Sequence, residues 1–527
     1  MHSGPQPVHT GGNHVNLKRL QINHRIVATI ATITFLALLA IPVQPAAQEL
    51  SATPKKQPRY RLLDLGTFGG PNSSEFASPV INKKGAITGA SDTADSDPNF
   101  PNCYNPDCFV THTYVWNKGV LTDLGGLPGG FGSEGNWIND YNEIAGQSLN
   151  GLIDPLLGTP AAVAVLWKSN GQIVDLGTFG GNESLAAMIN SQGQVVGAAA
   201  NTISDPFPGP LGFWGTQSRA FLWEKGVMSD LGDLGGPDAF AFSVNERSQI
   251  AGVSYTSSTP SPIETQCGKD IPPQNPFLWE NGRMIDLGTL GGICGFPFFG
   301  VVNNQGQVVG QSDLAGDAAF HPFVWDPERH PHLRDLGTLG GTFGSATGLN
   351  DASEIVGWAS TPDEAVHAFF WSNGVMKDLG TVKGDGCSVA YTINAGGQVV
   401  GTSGDGCNEV HAFLWQRGGP MMDLNDLVPS GSGLVLTAGE FINDRGEIGA
   451  SGVLPNGDHH AILLLPCDQR CNSESFLDDS EHAGAMPNRP LNSAAGTKHN
   501  PSQMAAGFRA RLARRYSRLR TLQAITK

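Results

Sequence analysis

A seven-residue string, Asp-Leu-Gly-x-(Leu/Phe)-Gly-Gly or a degenerate copy of it, begins at Asp64, Asp123, Asp175, Asp230, Asp286, Asp335, Asp378 and Asp423. Each copy leads to an (Ile/Val/Leu)-Asn turn and then to a valine-rich arm. A small unit copied in this way cannot bury its own apolar face, so the copies must stack on one another. At 527 residues two or three domains would be the default expectation, but stacked arrays run long as one body. Glycine (69) and proline (35) are abundant, and only 15% of residues are charged, against roughly 25% in ordinary domains. Short strands and tight turns fit this mix better than helices.

Four segments recur in each unit. The first is an apolar run ending in Trp, as in Phe221-Leu222-Trp223 or Phe413-Leu414-Trp415; aromatic and β-branched residues in a short run favour a buried strand. The second runs into the Asp-Leu-Gly string. The third ends at Asn82, Asn139, Asn190, Asn245, Asn303, Asn350, Asn394 or Asn443, where Asn caps a turn and, in most units, Gly three residues on takes the left-handed position of a hairpin. The fourth is the return arm, such as Gln194-Val195-Val196-Gly197.

Four strands of about five residues with their turns need roughly 40–45 residues, and the shortest spacing, Asp335 to Asp378, is 43. A repeated four-stranded antiparallel meander is the blade of a β-propeller. The chain enters at Tyr60–Asp64, a second segment without its first, and leaves at His460–Leu464, a first segment without its second. The expectation is therefore an all-β propeller over 60–467, with eight four-stranded blades closed by pairing of its N- and C-terminal strands. An open solenoid is the alternative, and it would want a cap at each end.

The flanks differ from the body. Residues 1–59 have a net charge of +5, residues 472–527 also +5, and residues 60–471 −26. An acidic body repels phosphate backbones, which argues against nucleic acid as a partner. Lys18, Arg19 and Arg25 precede the apolar run Ile26–Ile41 and an Ala46-Ala47 stretch, the pattern of an export signal over 1–47; an uncleaved anchor is the alternative, and no other segment is long and apolar enough to cross a bilayer. Residues 48–59 read as a linker and 468–507 as a disordered linker. Residues 508–527 read as a basic tail in which Arg509, Arg511, Arg514, Arg515, Arg518 and Arg520 interleave with Leu512, Tyr516 and Leu519, a candidate helix for anionic surfaces. A secreted protein, extracellular or periplasmic, is expected.

Eight cysteines suit an oxidising compartment. Local pairing joins Cys103 with Cys108, Cys267 with Cys294, Cys387 with Cys407, and Cys467 with Cys471. In an antiparallel meander the second and third of these pairs fall in loops of one face, where bridging is geometrically allowed. No Cys-x-x-Cys and no neighbouring His cluster points to a metal.

The strings His411–Trp415, Asp335–Gly341 and Ile189–Gly197 resemble the extracellular HAF repeat family of bacteria over about residues 60–467. Two departures are Asn425 in place of the motif glycine and the missing Trp in the last unit. The resemblance implies a secreted bacterial protein and no settled activity.

Neither a nucleophile elbow, a phosphate loop, a zinc-protease helix nor a sialidase-type Asp box occurs, and no catalytic residue or cofactor is assigned. Histidines four residues before the Trp position (His112, His321, His367, His411 and the equivalent His460) and the repeated aspartates read as structural hydrogen-bond and turn residues. The individual part of the chain is the set of long connections 91–110, 147–163, 198–218 and 253–275, before the first segments of the early units. Insertions in repeat proteins gather on one face, often the binding face. Their candidate contact residues are Tyr104, Asp107, Asp205, Phe207, Trp214, Tyr255, Glu264 and Asp270, with Phe100 and Phe213 beside them; rings next to carboxylates suit a carbohydrate or a peptide. The expected function is a non-catalytic binding or scaffold module at the cell exterior. The alternatives are a polysaccharide hydrolase or lyase using acids of that face, and a structural surface or matrix protein.

Overall fold

In the computed structural model the side-chain oxygen of Asn190 accepts the main-chain N–H groups of Gln192 (3.1 Å) and Gln194 (3.0 Å), which closes the turn as the sequence predicts. Its amide nitrogen does something the sequence does not announce: it donates to the carbonyl of Asn245, one repeat away, at 3.0 Å. The same link runs from Asn82 to Asn139, Asn139 to Asn190, Asn245 to Asn303, Asn303 to Asn350, Asn350 to Asn394 and Asn394 to Asn443. Asn443 then donates to the carbonyl of Asn82 at 3.0 Å, across 361 residues of sequence. The eight links return to their start. Residues 57–467 are described, apart from 75–76, 101–102, 106, 206, 208–210, 213 and 431–432. The expected signal segment, the linker residues before 57, the polar stretch from 468, the basic tail and Cys471 lie outside them.

The fold is all-β and built from antiparallel meanders. One sheet runs Val80–Ile81, Ile87–Ser96, Phe109–Asn117, Val120–Gly125; the next runs Ser133–Ile138, Ile144–Ile153, Pro160–Trp167, Ile173–Gly177. Four sheets are four-stranded. Two are eight-stranded, each formed of two meanders joined by one parallel bridge, Gln274 to Cys294 in one and Val366 to Cys387 in the other. Every sheet begins on the strand that ends at the repeated Asn. The sequence unit, counted from the Trp segment, is therefore offset by two strands, and the glycine-rich string is the connection between sheets. Arg59–Asp64 pairs antiparallel with His459–Cys467, Leu62 opposite Leu464, so the first strand completes the last sheet as expected.

The residue types follow from the packing. The glycine of most return arms lies opposite a β-bulge: a Cβ on Gly197, Gly357 or Gly401 would collide with a carbonyl of the preceding strand. Beside several of these glycines lies a fully buried ring two residues before the Trp position, such as Phe277, Phe369 and Phe413. The small residue admits the large one, and a bulkier arm residue would eject the ring.

The aspartates and histidines pair across the outer two strands. His112 meets Asp123, His321 meets Asp335 and His367 meets Asp378, all at 2.9 Å, and His460 meets Asp64 at 2.8 Å. Arg219 and Asn275 take the histidine's place opposite Asp230 and Asp286. Each of these aspartates also accepts the N–H of the glycine two residues on, for example Gly380 to Asp378 at 2.7 Å. Both sets have the structural roles expected of them. His411 is the exception and turns to Asp385 at 2.9 Å, while Lys383 takes Asp423.

Candidate functional site

The connections from the second to the third strand of each meander emerge at the end opposite the Asn hairpins. Of the four that the sequence marks as long, 97–108, 205–215 and 256–273 are so, while 154–159 is no longer than 405–410 and one residue longer than 315–319, 361–365 and 454–458. They are shorter than the sequence suggests because the strands continue into them. Ile144–Ile153 pairs out to Ile153 with Pro160, and Val195–Ser204 out to Ser204 with Thr216. Much of the expected insertion 147–163 is thus a hairpin arm that stands out from its sheet.

These loops are fastened from below. Tyr104 is buried against Leu149 and Ala162, and its hydroxyl oxygen accepts from Gln147 at 2.6 Å. Trp214 is buried with Leu211, Phe240 and Tyr255. Disulfides Cys103–Cys108, Cys267–Cys294 and Cys387–Cys407, with Cα atoms 5.2, 6.1 and 5.0 Å apart, pair as the spacing predicted, the first within one connection and the other two between a connection and a strand; Cys467 is also disulfide-bonded, and its expected partner, Cys471, lies outside the described residues.

Where one sheet meets the next, a single position carries residues of several kinds: Asn72, Glu183, Asp238, Cys294, Phe343 or Cys387. Asn72, Glu183 and Asp238 each accept a main-chain N–H from the preceding sheet, from His459 (3.0 Å), Ala162 (3.0 Å) and Ser218 (2.7 Å). Cys294, Phe343 and Cys387 bridge there through the backbone.

Two acid groups sit on this seam. At the first, Asp92 is fully buried and accepts from Thr111 (3.0 Å) and the Asn72 N–H (2.9 Å), while Asn72 donates to Asp107 at 3.1 Å. Burial, and then the charge of Asp107, push Asp92 up to about 7. At the second, Asp238 is fully buried and Asp205 partly so. Burial raises Asp238 to about 7, with the Asp205 charge adding to it, and burial raises Asp205 to about 6. Tyr255, also fully buried, is pushed up by burial and then by both carboxylates. Arg219 is held by Asp230 and Asp233, each at 2.9 Å. Among the described residues no group of three or more His, Cys, Asp or Glu is arranged to hold a metal.

The structure divides the expected contact residues. Asp205, Trp214 and Tyr255 come together; Asp107 joins Asp92 instead; Glu264 and Asp270 stay exposed on the fourth long loop. Phe207 is half-buried, its N–H donating to Asp205 at 2.9 Å, and Phe213 lies outside the described residues. The expectation that rings would face solvent is corrected for Tyr104, Trp214 and Tyr255, which are at most 9% exposed. Long aromatic side chains in these loops bury more area inward than a ligand would offer, and so they anchor the loops.

What faces solvent is chiefly aliphatic. Leu152, Ile153, Leu156 and Ile203 are 56–66% exposed, with Phe100, Phe131 and Ile263 beside them on the long loops and the loop before Ser133. Neighbouring loops touch: Gly129 lies against Gly151, and Gly215 lies close to the side chain of Leu156. Sequence reading passed over these aliphatic residues because a strand-like Leu-Ile pair reads as core; the signal was that Leu152 and Ile153 continue a strand beyond the length its partners need. Trp137 packs edge-on against Phe441 of the last sheet at 5.4 Å and also joins core clusters with Ile189 and Val244.

No family model matches the chain, and no curated protein sequence matches it. Among solved structures it is similar to the β-propeller domain of the Trilobed protease from Pyrococcus furiosus (10% identity, TM-score 0.39, covering 67% of this chain and 99% of that one). It is similar also to Porphyromonas gingivalis dipeptidyl peptidase 4 (10%, 0.44, 76% and 58%) and to TolB from Acinetobacter baumannii (12%, 0.30, 58% and 76%).

Proposed function

We propose that the chain is a secreted, non-catalytic binding module of the HAF repeat type: an eight-bladed propeller, closed by its first and last strands, that holds a protein partner on the long-loop half of one face. Eight linked asparagines and the pairing of Arg59–Asp64 with His459–Cys467 support the closed eight-bladed reading. The partner reading is carried by the apolar side chains exposed on adjoining loops, Phe131, Leu152, Ile153, Leu156 and Ile203. Large apolar groups gathered on anchored loops are a contact surface in waiting. They favour a protein over a sugar, because Tyr104, Trp214 and Tyr255 are turned inward and the exposed side chains are chiefly aliphatic. A hydrolase reading calls for a third acid beside Asp205 and Asp238, and the seam supplies a pair.

The test compares the secreted chain with a Leu152→Asp, Ile153→Asp, Leu156→Asp variant. Pull-down from the extracellular fraction of the producing cells should retain a protein on the parent and lose it on the variant, with unchanged thermal unfolding. Retention of a polysaccharide by both chains on a glycan array, with no protein retained by either, would overturn the proposal.

A further inference from the structure

The two ends of the body differ in charge. At the Asn end, exposed Lys83, Arg247 and Arg445 stand on the Asn turns, and exposed Lys118, Lys225 and Arg417 on the turns from third to fourth strand. Acids stand among them, and Arg417 pairs with Glu354 and Arg445 with Glu447. At the loop end the fourth strands finish on the repeated aspartates. The side chains of Asp64, Asp123, Asp230, Asp335 and Asp378 stay 36–44% exposed beside their histidine and arginine partners. Asp95, just before the connection 97–108, and Glu264 and Asp270, within 256–273, add exposed carboxylates. On the connections at that end, the exposed cations among the described residues are Lys269 and Lys383, and Lys383 is held by Asp423 (3.1 Å) and Asp426 (3.2 Å). Arg334 and Lys377, each one residue short of a strand end, lie over the rings of Trp371 and Trp415. The net −26 of residues 60–471 therefore sits chiefly at the end that also exposes Leu152, Ile153, Leu156 and Ile203. The arm bearing the first two touches its neighbours: a Cβ on Gly151 would meet the Gly129 carbonyl at 2.7 Å, and one on Gly215 would lie 3.7 Å from Leu156 Cδ1.

The chain also carries a segment of the opposite character. Residues 508–527 hold six arginines and Lys527 with no acid, interleaved with Phe508, Leu512, Tyr516, Leu519 and Leu522. Cations set among apolar residues complement carboxylates set around aliphatic ones. The last described strand, His459–Cys467, finishes at the Asn end. Ten residues of strand, the length of Ile144–Ile153, measure about 33 Å. Residues 468–507 can span at most about 130 Å, so reach does not keep the segment from the loop end.

We propose that residues 508–527 dock on the loop end of their own body, arginines on its carboxylates and apolar side chains on Leu152, Ile153, Leu156 and Ile203. The Asn end is nearer to the tether, but its described residues offer no excess of carboxylates. Exposed ion pairs are individually weak; the tether makes the docking intramolecular, at roughly millimolar effective concentration. Such pairs are screened within about 10 Å at 0.1 M salt, so added salt releases the segment. The surface is the one assigned above to a protein partner. The docking rests on the charges and not on that assignment; given both, partner and tail exclude each other.

The test follows amide hydrogen exchange of the full secreted chain, disulfides intact, at pH 7.5. The tail-reversed chain carries Arg509→Glu, Arg511→Glu, Arg514→Glu, Arg515→Glu, Arg518→Glu and Arg520→Glu. At low salt, exchange over 150–156 and 201–204 should be severalfold slower in the parent than in the tail-reversed chain, and 0.5 M salt should erase the difference. Asp95→Lys, Glu264→Lys and Asp270→Lys together should release the tail in the same way, and a chain with both reversals should regain protection. All these substitutions fall on exposed residues of the body or outside it, and equal thermal midpoints check that the body folds. Equal exchange in the parent and tail-reversed chains would overturn the docking, as would protection confined to the Asn turns. Retention of the parent on phosphatidylglycerol vesicles, with its loops exchanging as in the tail-reversed chain, would give the tail to an anionic surface instead. No partner is present in this assay, so its failure leaves the partner reading standing, and a failed pull-down leaves the docking standing.

Discussion

Replacing Asn443 separates two roles that its side chain performs at once. Its oxygen accepts the N–H groups of Arg445 (3.0 Å) and Glu447 (3.1 Å), and its amide donates to Glu447 (2.7 Å) and to the carbonyl of Asn82 (3.0 Å). A net hydrogen bond contributes about 1 kcal/mol, more when its loss strands a buried group. Asn443→Ala should therefore cost about 3–4 kcal/mol. Asn303→Ala should cost the same amount, because Asn303 makes the same four bonds to Gln305, Gln307 and Asn350. Asn443→Asp keeps the turn cap, since a carboxylate accepts from both N–H groups, but it has no donor for Asn82 and sets a second negative charge against Glu447. It should be at least as damaging as alanine at pH 7 and recover in part near pH 4, where the new carboxylate protonates. Guanidinium unfolding of the four chains, disulfides intact, measures all of this. A stable Asn443→Asp would refute the argument by showing that the residue is only a turn cap. An Asn443→Ala much milder than Asn303→Ala would show that the link from last sheet to first does not bear load, and the closed reading would fall with it.

The His367–Asp378 pair predicts a pH window. The Asp378 hydrogen bond raises His367, and although burial alone would raise Asp378, the bonds from His367 and the Gly380 N–H outweigh it and hold the carboxyl low. The histidine's contribution is complete below its unfolded value near 6.5 and fades as pH rises through the raised folded value; the aspartate's is complete above its unfolded value near 4 and fades on acidification. NMR titration should show His367 falling toward its ordinary value in Asp378→Asn, and an unmoved titration would count against the pairing. For the covalent tie, Cys387→Ser with Cys407→Ser opens a loop of sequence separation 20 and should lower stability by about 3 kcal/mol; an unchanged denaturation midpoint would show that the neighbouring strands already fix both loops.

The repeat was legible because it is local chemistry written many times. An Asn with Gly three residues on, an Asp two residues before a Gly, and a Gly opposite a buried Phe each satisfy a rule that needs only neighbouring residues. At Asn142, Ser248 and Ser353 the left-handed turn position is held without glycine, and the turn survives because the Asn cap is still present. What the sequence hid is what crosses between copies. Nothing local to Asn190 says that its amide reaches Asn245, and the strand frame was offset because the pairing of return arm with Trp segment skips a long loop. Tyr104, Trp214 and Tyr255 were misplaced for a related reason: a ring in an insertion reads as surface until the partners that bury it, Leu149 and Phe240 among them, are brought in from other strands.

The two ends of the molecule obey different rules, and that difference is an argument for seeking a contact surface at the loop end. At the Asn end each copy makes the same bonds as its neighbour, so a change in one copy breaks a link and adds nothing. At the loop end the frame is equally constant, a strand start meeting the third strand of the sheet before it, yet the residue placed there ranges from Asn72 through Glu183 and Asp238 to Cys294, Phe343 and Cys387. A position whose main-chain geometry is met by carboxylate, amide, disulfide and ring alike is not chosen for stability alone, because those side chains differ widely in the cost of burial. The loops above it vary in the same half of the chain. The constant end fixes the position of every seam, and the variable end decides what each seam holds; a ligand would be selected by the second and located by the first.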